Sequence, residues 1–336
     1  MIRVYDSFFT EEVVKKLNEP RYYKFGWPSN TKKGYNHWNI QLVGVGPEPE
    51  DPMYDNLIHN TLENAWKIIQ QKTGKRRLRR AYFNGYAYGT GGYIHKDFNK
   101  ELDEEKMPVN AKTVLETVLV YCNEKWDPDW AGETIFLDKE NGYEVIAGIM
   151  PKSNRVVVFP GNIPHVGRDV SRICDELRVT LAFKTAYDYY DEEQVISVVK
   201  NLTSNMTHSF GRSFFDHLYK TMMILKTRGM PQSVYLSGLC HSLYDTESYK
   251  ANLNLPREFL QNLIGINSEK LVHHFCTIRP RSKILESKEI DEVERYHLAA
   301  IELANLTEQN IFNPYCQNLI DYLQSSGPIK FKYFSE

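Results

Sequence analysis

Three residues in this chain have the types and spacing to hold a metal ion. They are His95 and Asp97, separated by Lys96, and His165 in the stretch Pro164-His165-Val166-Gly167. Two imidazoles and one carboxylate suit a mononuclear non-haem Fe(II), gripped on one face with the opposite positions open for substrate and oxygen. In a strand, side chains at i and i+2 share a face, so the spacing predicts a strand that turns His95 and Asp97 toward one ion and Lys96 away. A His-x-Asp tripeptide alone is a weak signal. With 10 histidines and 43 acidic residues, chance supplies one readily, and a surface turn is the plainer reading. The surrounding residues decide between the two.

From about 78 to 184 the chain alternates β-branched or aromatic runs with turn signals. Strands are predicted over 114–121, 133–137, 143–150, 155–159 and 177–183, punctuated by Asp127-Pro128, Glu140-Asn141-Gly142, Pro151-Lys152-Ser153-Asn154 and Pro160-Gly161-Asn162. Short strands at this spacing fold as an antiparallel sandwich or barrel. Helices are predicted over 10–18 and 56–71; the second sets Leu57, Ile58, Leu62, Trp66 and Ile69 at helical spacing, ready to pack one face against a sheet. After about 186 the periodicity turns helical. The acidic, aromatic run 187–193 reads as a connector. Phe214, Phe215, Leu218, Met222 and Leu225 then mark a helix closed by Gly229 and Pro231, and 233–241, 259–264, 269–275 and 292–306 supply further helical pieces. The expected chain is therefore α+β, with a β-rich domain over 1–190 and an all-α domain over 191–336.

Composition removes several function classes. The 41 Lys+Arg nearly balance 43 Asp+Glu, which gives no electrostatic case for a dedicated nucleic-acid binder. The one basic run, Lys75-Arg76-Arg77-Leu78-Arg79-Arg80, is best read as a solvated face next to a strand, with polyanion contact or localisation as the sharper alternatives. Five scattered cysteines without a Cys-x-x-Cys fit free thiols in a reducing compartment. The N-terminus lacks a secretory pattern, and no apolar stretch reaches the length needed to cross a bilayer. A cytoplasmic location is expected, without membrane attachment.

Residues from roughly 84 to 184 resemble the Fe(II)/2-oxoglutarate-dependent dioxygenases, specifically their prolyl-hydroxylase-like branch. Six blocks carry the resemblance in order. They are Tyr88-Gly89-Thr90-Gly91-Gly92-Tyr93-Ile94-His95-Lys96-Asp97, the run 120–127 beginning Val120-Tyr121-Cys122-Asn123, and Gly132-Glu133-Thr134-Ile135-Phe136. The run 151–159, the stretch Pro164-His165-Val166, and Arg178-Val179-Thr180-Leu181-Ala182-Phe183 complete them. The resemblance implies a double-stranded β-helix (jelly-roll, cupin-like) fold, with Fe(II) held by His95, Asp97 and His165, and with 2-oxoglutarate and O2 as co-reactants. The far carboxylate of 2-oxoglutarate then needs a buried cation, because an unpaired buried charge is costly. Arg178 is the candidate, opening an apolar strand; Arg172, in a loop, competes with it. The resemblance further implies that the Tyr121 hydroxyl supports the same carboxylate and that Asn84 and Tyr86 contact the co-substrate. Asp97 favours hydroxylation over halogenation, since related halogenases replace this carboxylate with a small residue. The nucleic-acid demethylases of the same chemistry favour a second arginine six residues beyond the first, where this chain has Lys184.

Residues from about 205 to 306 have an HD-like resemblance, carried by Phe215-Asp216-His217-Leu218, the run 236–246 with His241-Ser242, and Glu302-Leu303-Ala304-Asn305-Leu306. HD-type phosphohydrolases place a histidine, a His-Asp pair and a late aspartate around a divalent metal. Here serine follows His241, and Asn305 stands near the late acid's place. Loss of two carboxylates weakens a hard-cation site, so His217 and His241 read first as helix-packing residues and second as ligands. The adjacent His273-His274 is splayed on a helix and makes a poor chelate.

The sequence thus predicts an oxygenase that hydroxylates a C–H bond of an amino acid, peptide or small metabolite, releasing succinate and CO2. The competing expectation is a metal-dependent HD-like phosphohydrolase, or a nucleotide-binding or docking function, dominated by the helical half. That half is also a candidate platform for homo-oligomer formation. The irregular aromatic segment 27–39 and the charged loop 98–111 are candidate substrate-facing regions.

Overall fold

A computed structural model describes residues 1–18, 35–43, 60–98, 111–208 and 211–326. The chain divides into two compact units. One comprises Met1–Ala65, Arg76–Asp103 and Val114–Tyr187; the other comprises Trp66–Lys75, Glu104–Thr113 and Asp188–Glu336.

The first unit is an antiparallel β structure of two sheets. Its strands are β1 (Arg3–Tyr5), β2 (Trp38–Val43), β3 (Arg77–Tyr86), β4 (Ala111–Tyr121), β5 (Thr134–Asp138), β6 (Glu144–Ile149), β7 (Val156–Pro160), β8 (His165–Gly167) and β9 (Arg178–Tyr190). Six form one sheet in the order β1-β7-β4-β9-β3-β2, and three form the other in the order β6-β5-β8. This is the antiparallel core expected of a jelly-roll oxygenase domain. The strand β7 lies between β1 and β4, and all four of its leading residues, Val156 to Phe159, are buried. That position explains its unbroken apolar run, since a central strand covered on both faces does not alternate. Phe159 meets Phe136 of β5 edge-on at 4.9 Å, and the Tyr121 hydroxyl donates to the Ile149 carbonyl of β6 and is hydrogen-bonded with the Thr134 hydroxyl of β5, so the two sheets are joined by packing and by hydrogen bonds. Burying an aromatic ring of this size stabilises the fold by about 1.5–3 kcal/mol.

Three expectations change here. The segment carrying His95 and Asp97 is not a regular strand. His95 makes a single bridge to His165, and the amides of Asp97 and Phe98 both donate to the Gly161 carbonyl, which bends the chain away from any neighbouring strand. The run 187–193 is no connector either: β9 continues to Tyr190, and Asp191 caps the next helix by accepting from the Gln194 amide. The basic run 75–80 likewise leads straight into β3, a strand whose pairing with β9 over nine positions from Arg77↔Ala186 to Tyr86↔Arg178 outweighs its unfavourable charge density.

The second unit is helical. The helix α1 (Glu11–Leu17) belongs to the first unit, and α2 (Asn60–Thr73) contributes its last turns, from Trp66, to the second. The remainder of the helical unit is α3 (Glu192–Leu202), α4 (Phe214–Thr227), α5 (Gln232–Cys240), α6 (Arg257–Ile264), α7 (Ile266–Thr277), α8 (Glu292–Glu308) and α9 (Pro314–Ser326). Ser213 caps α4 and Asp291 caps α8 in a full capping box with Glu294. Helix α8 is buried at thirteen positions from Val293 to Leu306 and forms the centre of the unit's apolar core, packed by Leu218, Met222, Leu236, Leu239, Val272 and Phe275 from the surrounding helices. Among the described residues, no helix is long and apolar enough to cross a membrane.

Candidate active site

The His95–His165 bridge is the hinge of the site. His95 N donates to His165 O at 3.0 Å and His165 N donates to His95 O at 2.9 Å, so the two backbones are locked face to face and the rings lie 4.5 Å apart. Each ring is oriented the same way: Nδ1 meets the carbonyl two residues upstream, Tyr93 O at 2.8 Å for His95 and Ile163 O at 2.9 Å for His165. A carbonyl only accepts, so both Nδ1 atoms carry the proton and both Nε2 atoms present a lone pair, which is the orientation a metal-ligating imidazole needs. Asp97 Oδ1 lies 3.4 Å from His95 Nε2, and Asp97 Oδ2 lies 3.5 Å from His165 Nε2. Among the described residues these three are the only group of three or more His, Cys, Asp or Glu whose ligand atoms gather within 4.8 Å. Ligand bonds of about 2.0–2.2 Å put neighbouring donors at a right angle about 3 Å apart, so contraction by a few tenths of an ångström would close this set on one ion. The donors fit the ion.

Asp97 is almost fully buried, with 2% of its side chain exposed. Burial alone would raise its pKa; the Lys184 ammonium outweighs that and holds the carboxyl well below the usual carboxylate range. The Thr117 hydroxyl donates to Oδ2 at 2.5 Å, and Lys184 forms an ion pair with the same oxygen.

Arg178 is 1% exposed at the start of β9. Its Nε donates to Gly132 O at 2.5 Å and its Nη2 donates to Thr134 Oγ1 at 2.9 Å. The guanidinium also lies over the rings of Tyr86 and Tyr121, at 5.2 and 5.4 Å. Among the described residues, no carboxylate forms an ion pair with it. A fully buried guanidinium without an acid is a charge deficit that a bound carboxylate would relieve. Arg172, the competitor, is exposed in the loop before β9. Gly132 is required twice: it sits at φ +82°, and a Cβ there would come within 3.0 Å of Arg178 Cδ.

The remaining expected residues fall on the inner side of the same sheet. Tyr121 ends β4 and is buried, its hydroxyl engaged by Thr134 and Ile149. Tyr86 pairs in register with Arg178, and burial pushes its phenol up to about 12. Its ring lies so close to β8 that a Cβ on Gly167 would approach it to 2.6 Å. Asn84, two residues earlier and on the same face, accepts from Asn39 Nδ2 at 2.9 Å. The structure brings Tyr86 and Tyr121 to Arg178, while Asn84 lies two pairs along the strand, opposite Thr180.

The sequence reading missed Lys184, Thr117 and Thr134 as site residues, and His37 as a neighbour. Lys184 carried a usable signal, because it is an even number of residues from Arg178 and so shares its face of β9. His37 stacks edge-on against Tyr86 at 5.1 Å, and burial lowers its pKa. Tyr35 meets Tyr93 at 5.6 Å, so this end of the segment 27–39 adjoins the site, while 27–34 and most of the loop 98–111 lie outside the described residues.

In the helical unit, His217 Nε2 lies 3.1 Å from His241 Nε2. His217 Nδ1 meets Glu308 Oε2 at 2.5 Å, and His241 Nδ1 meets the Gly238 carbonyl at 2.7 Å. Asn305 donates to Glu302 at 3.1 Å rather than offering a carboxylate, and His273 and His274 sit 6.0 Å apart by ring centroid.

The model of the 2OG-Fe(II) oxygenase superfamily matches residues 83–183, and that of a domain of unknown function (DUF6817) matches residues 198–280. No curated protein matches the chain. Among solved structures it is similar to a prolyl-4-hydroxylase from Pseudomonas putida, 14% identical over 55% of this chain and 91% of that one, with a TM-score of 0.37. It is also similar to a Trichoplax adhaerens prolyl hydroxylase in complex with a hypoxia inducible factor oxygen degradation domain peptide fragment, 15% identical over 57% and 84%, TM-score 0.37. A third similarity is to a metazoan ortholog of SpoT that hydrolyzes ppGpp, 12% identical over 42% and 90%, TM-score 0.31. At such scores none of these likenesses defines either half. The superfamily match falls on the stretch that carries His95, Asp97, His165 and Arg178, and with the donor set it makes residues 83–183 a 2OG-Fe(II) oxygenase domain. The protein is an enzyme of the 2-oxoglutarate-dependent oxygenase class, with Fe(II) and 2-oxoglutarate as its cofactor and co-substrate.

Proposed function

We propose that this enzyme hydroxylates a C–H bond of an amino acid, peptide or small metabolite, through an oxygenase domain spanning 1–190 followed by a helical domain spanning 191–336. His95, Asp97 and His165 hold Fe(II), and Arg178 receives the far carboxylate of 2-oxoglutarate. The observation that carries this reading is the coexistence, in one unit, of a three-donor face and a buried guanidinium without an acid partner among the described residues. When bound, Fe(II) with 2-oxoglutarate and oxygen supplies the C–H oxidation, releasing succinate and CO2. The chain's own residues do the rest. The Tyr93 and Ile163 carbonyls hold the two ligand tautomers, Gly132 and Thr134 fix the guanidinium plane, and Tyr86 and Tyr121 cover it with ring faces that exclude water. Asn84 and Tyr86 are placed to contact the co-substrate.

Anaerobic addition of Fe(II) and 2-oxoglutarate should give a visible charge-transfer band that His95→Ala abolishes. A folded, metal-loaded protein without that band would sink the assignment. Succinate release across panels of amino acids, peptides, nucleotides and small metabolites identifies the substrate class by the panel that stimulates it.

A second reading, an HD-like phosphohydrolase, draws on the 3.1 Å approach of His217 Nε2 to His241 Nε2. Among the described residues no carboxylate joins them as a third donor, and stoichiometric metal lost on His217→Ala would be needed to revive it.

A further inference from the structure

Two of the three donors depend on one short turn. Between β7 and β8, Pro160-Gly161-Asn162-Ile163 is closed by the Ile163 amide, which donates to the Pro160 carbonyl at 3.1 Å. Two carbonyls of this turn serve the site. Ile163 O meets His165 Nδ1 at 2.9 Å, and Gly161 O accepts the Asp97 amide at 2.8 Å and the Phe98 amide at 3.1 Å. The turn is tied in turn to β4, because the Gly161 amide donates to Leu115 O at 3.0 Å. Two residues further along β4, the Thr117 hydroxyl donates to Asp97 Oδ2. Gly161 thus couples the backbone of Asp97 to the strand that also holds its carboxylate.

Gly161 is buried and has no room for a side chain. A Cβ there would lie 2.1 Å from Phe98 Cδ2, 2.8 Å from Cε2 and 3.2 Å from Cγ. Carbon atoms in contact sit about 3.5–4.0 Å apart, so the ring would have to withdraw by roughly 1.5 Å. Cγ lies inside that limit too, so turning the ring about its own axis does not clear the space. Phe98 follows Asp97 directly, and both amides hang on the same carbonyl. We propose that Gly161 is a positioning residue: having no side chain, it lets the Phe98 ring rest against the turn and so fixes where Asp97 presents its carboxylate to the ion. This rests on the oxygenase reading above and adds a residue to it. A ligand constellation tolerates misplacement of only about 0.5 Å, so a displacement of Phe98 passed back through one peptide reaches the metal.

The test titrates the full chain anaerobically with Co(II), a spectroscopic stand-in, and compares wild type, Gly161→Ala, Phe98→Ala and the double variant. In Gly161→Ala the Co(II) Kd should rise roughly 10- to 100-fold, the range for residues that orient metal ligands, and the Co(II) visible absorption should change. The double variant should match Phe98→Ala in both readouts, the non-additivity expected of two residues in contact. A folded Gly161→Ala with a lowered melting temperature but the wild-type Kd and spectrum means that the half-buried ring swings aside without moving Asp97, and overturns the proposal. A double variant as weak as Gly161→Ala overturns it too. Should Gly161→Ala not fold, hydrogen exchange in metal-free wild type decides. The Asp97 and Phe98 amides should then be protected as native hydrogen bonds are, and exchange at the rate of an open loop overturns the proposal. If wild type binds no Co(II), or His95→Ala binds it as well, the oxygenase reading itself fails.

Discussion

Each unit of this protein contains a pair of close histidines and a buried acid, and the two sets are arranged for opposite purposes. In the β unit, both Nδ1 atoms are tied to carbonyls, both Nε2 atoms face Asp97, and the three donors gather within 4.8 Å. In the helical unit, the two Nε2 atoms also approach, to 3.1 Å, but Glu308 sits on Nδ1 of His217, on the far side of the ring. The acid there orients an imidazole instead of joining it as a ligand. Among the described residues no third donor completes that second set. The lesson is that residue type does not make a metal site; the side of the ring on which the carboxylate falls does.

The comparison is most exposed to metal analysis. His95→Ala or Asp97→Ala should lower Fe(II) occupancy and succinate release by about 100-fold or more, since even outer-shell changes cost 10- to 100-fold, whereas His217→Ala should change neither. Metal that persists in His95→Ala and vanishes in His217→Ala would reverse the contrast. Next in size, Arg178→Leu should weaken 2-oxoglutarate binding on the order of 100-fold, as expected when one partner of a buried charge pair is removed, and Arg172→Leu should leave it unchanged. Equilibrium titration of the Fe(II)-loaded protein checks both.

The helical unit offers a pH test of its own. His297 is buried with Nε2 2.9 Å from the Gln71 carbonyl, and burial lowers its pKa to about 4 from an ordinary 6.5. The unfolded chain therefore binds the extra proton first as pH falls. Stability is full above about pH 6.5 and declines by up to about 3 kcal/mol as the pH drops toward 4. Denaturant unfolding of wild type against His297→Gln from pH 7 to 4.5 should show the wild-type curve falling more steeply. Smallest, Tyr121→Phe removes a hydroxyl that joins Thr134 to Ile149 and should cost about 1 kcal/mol of stability, read as a lower denaturant midpoint.

Much of this was legible beforehand, for physical reasons that differ by element. The strands 114–121 and 155–159 declare themselves because β-branched runs between turn residues have few other solutions, and the core histidines of the site were marked by block order. Strand β3 was hidden by its charge: Arg77, Arg79 and Arg80 read as a solvated run, and only pairing with β9 makes them a strand. The bent path of His95 to Asp97 was invisible because it depends on the Gly161 carbonyl, more than sixty residues away.

By itself, the sequence determined the chemistry on offer: the donor types, their order, an arginine opening an apolar strand, and a helical half without an HD carboxylate set. Those depend on side-chain chemistry and local periodicity, which are written residue by residue. Only the tertiary structure decided which nitrogen each histidine presents, that Arg178 and not Arg172 is buried, and that Lys184 holds one oxygen of Asp97. Such choices arise from hydrogen bonds and burial between segments far apart in the chain, and no local pattern encodes them.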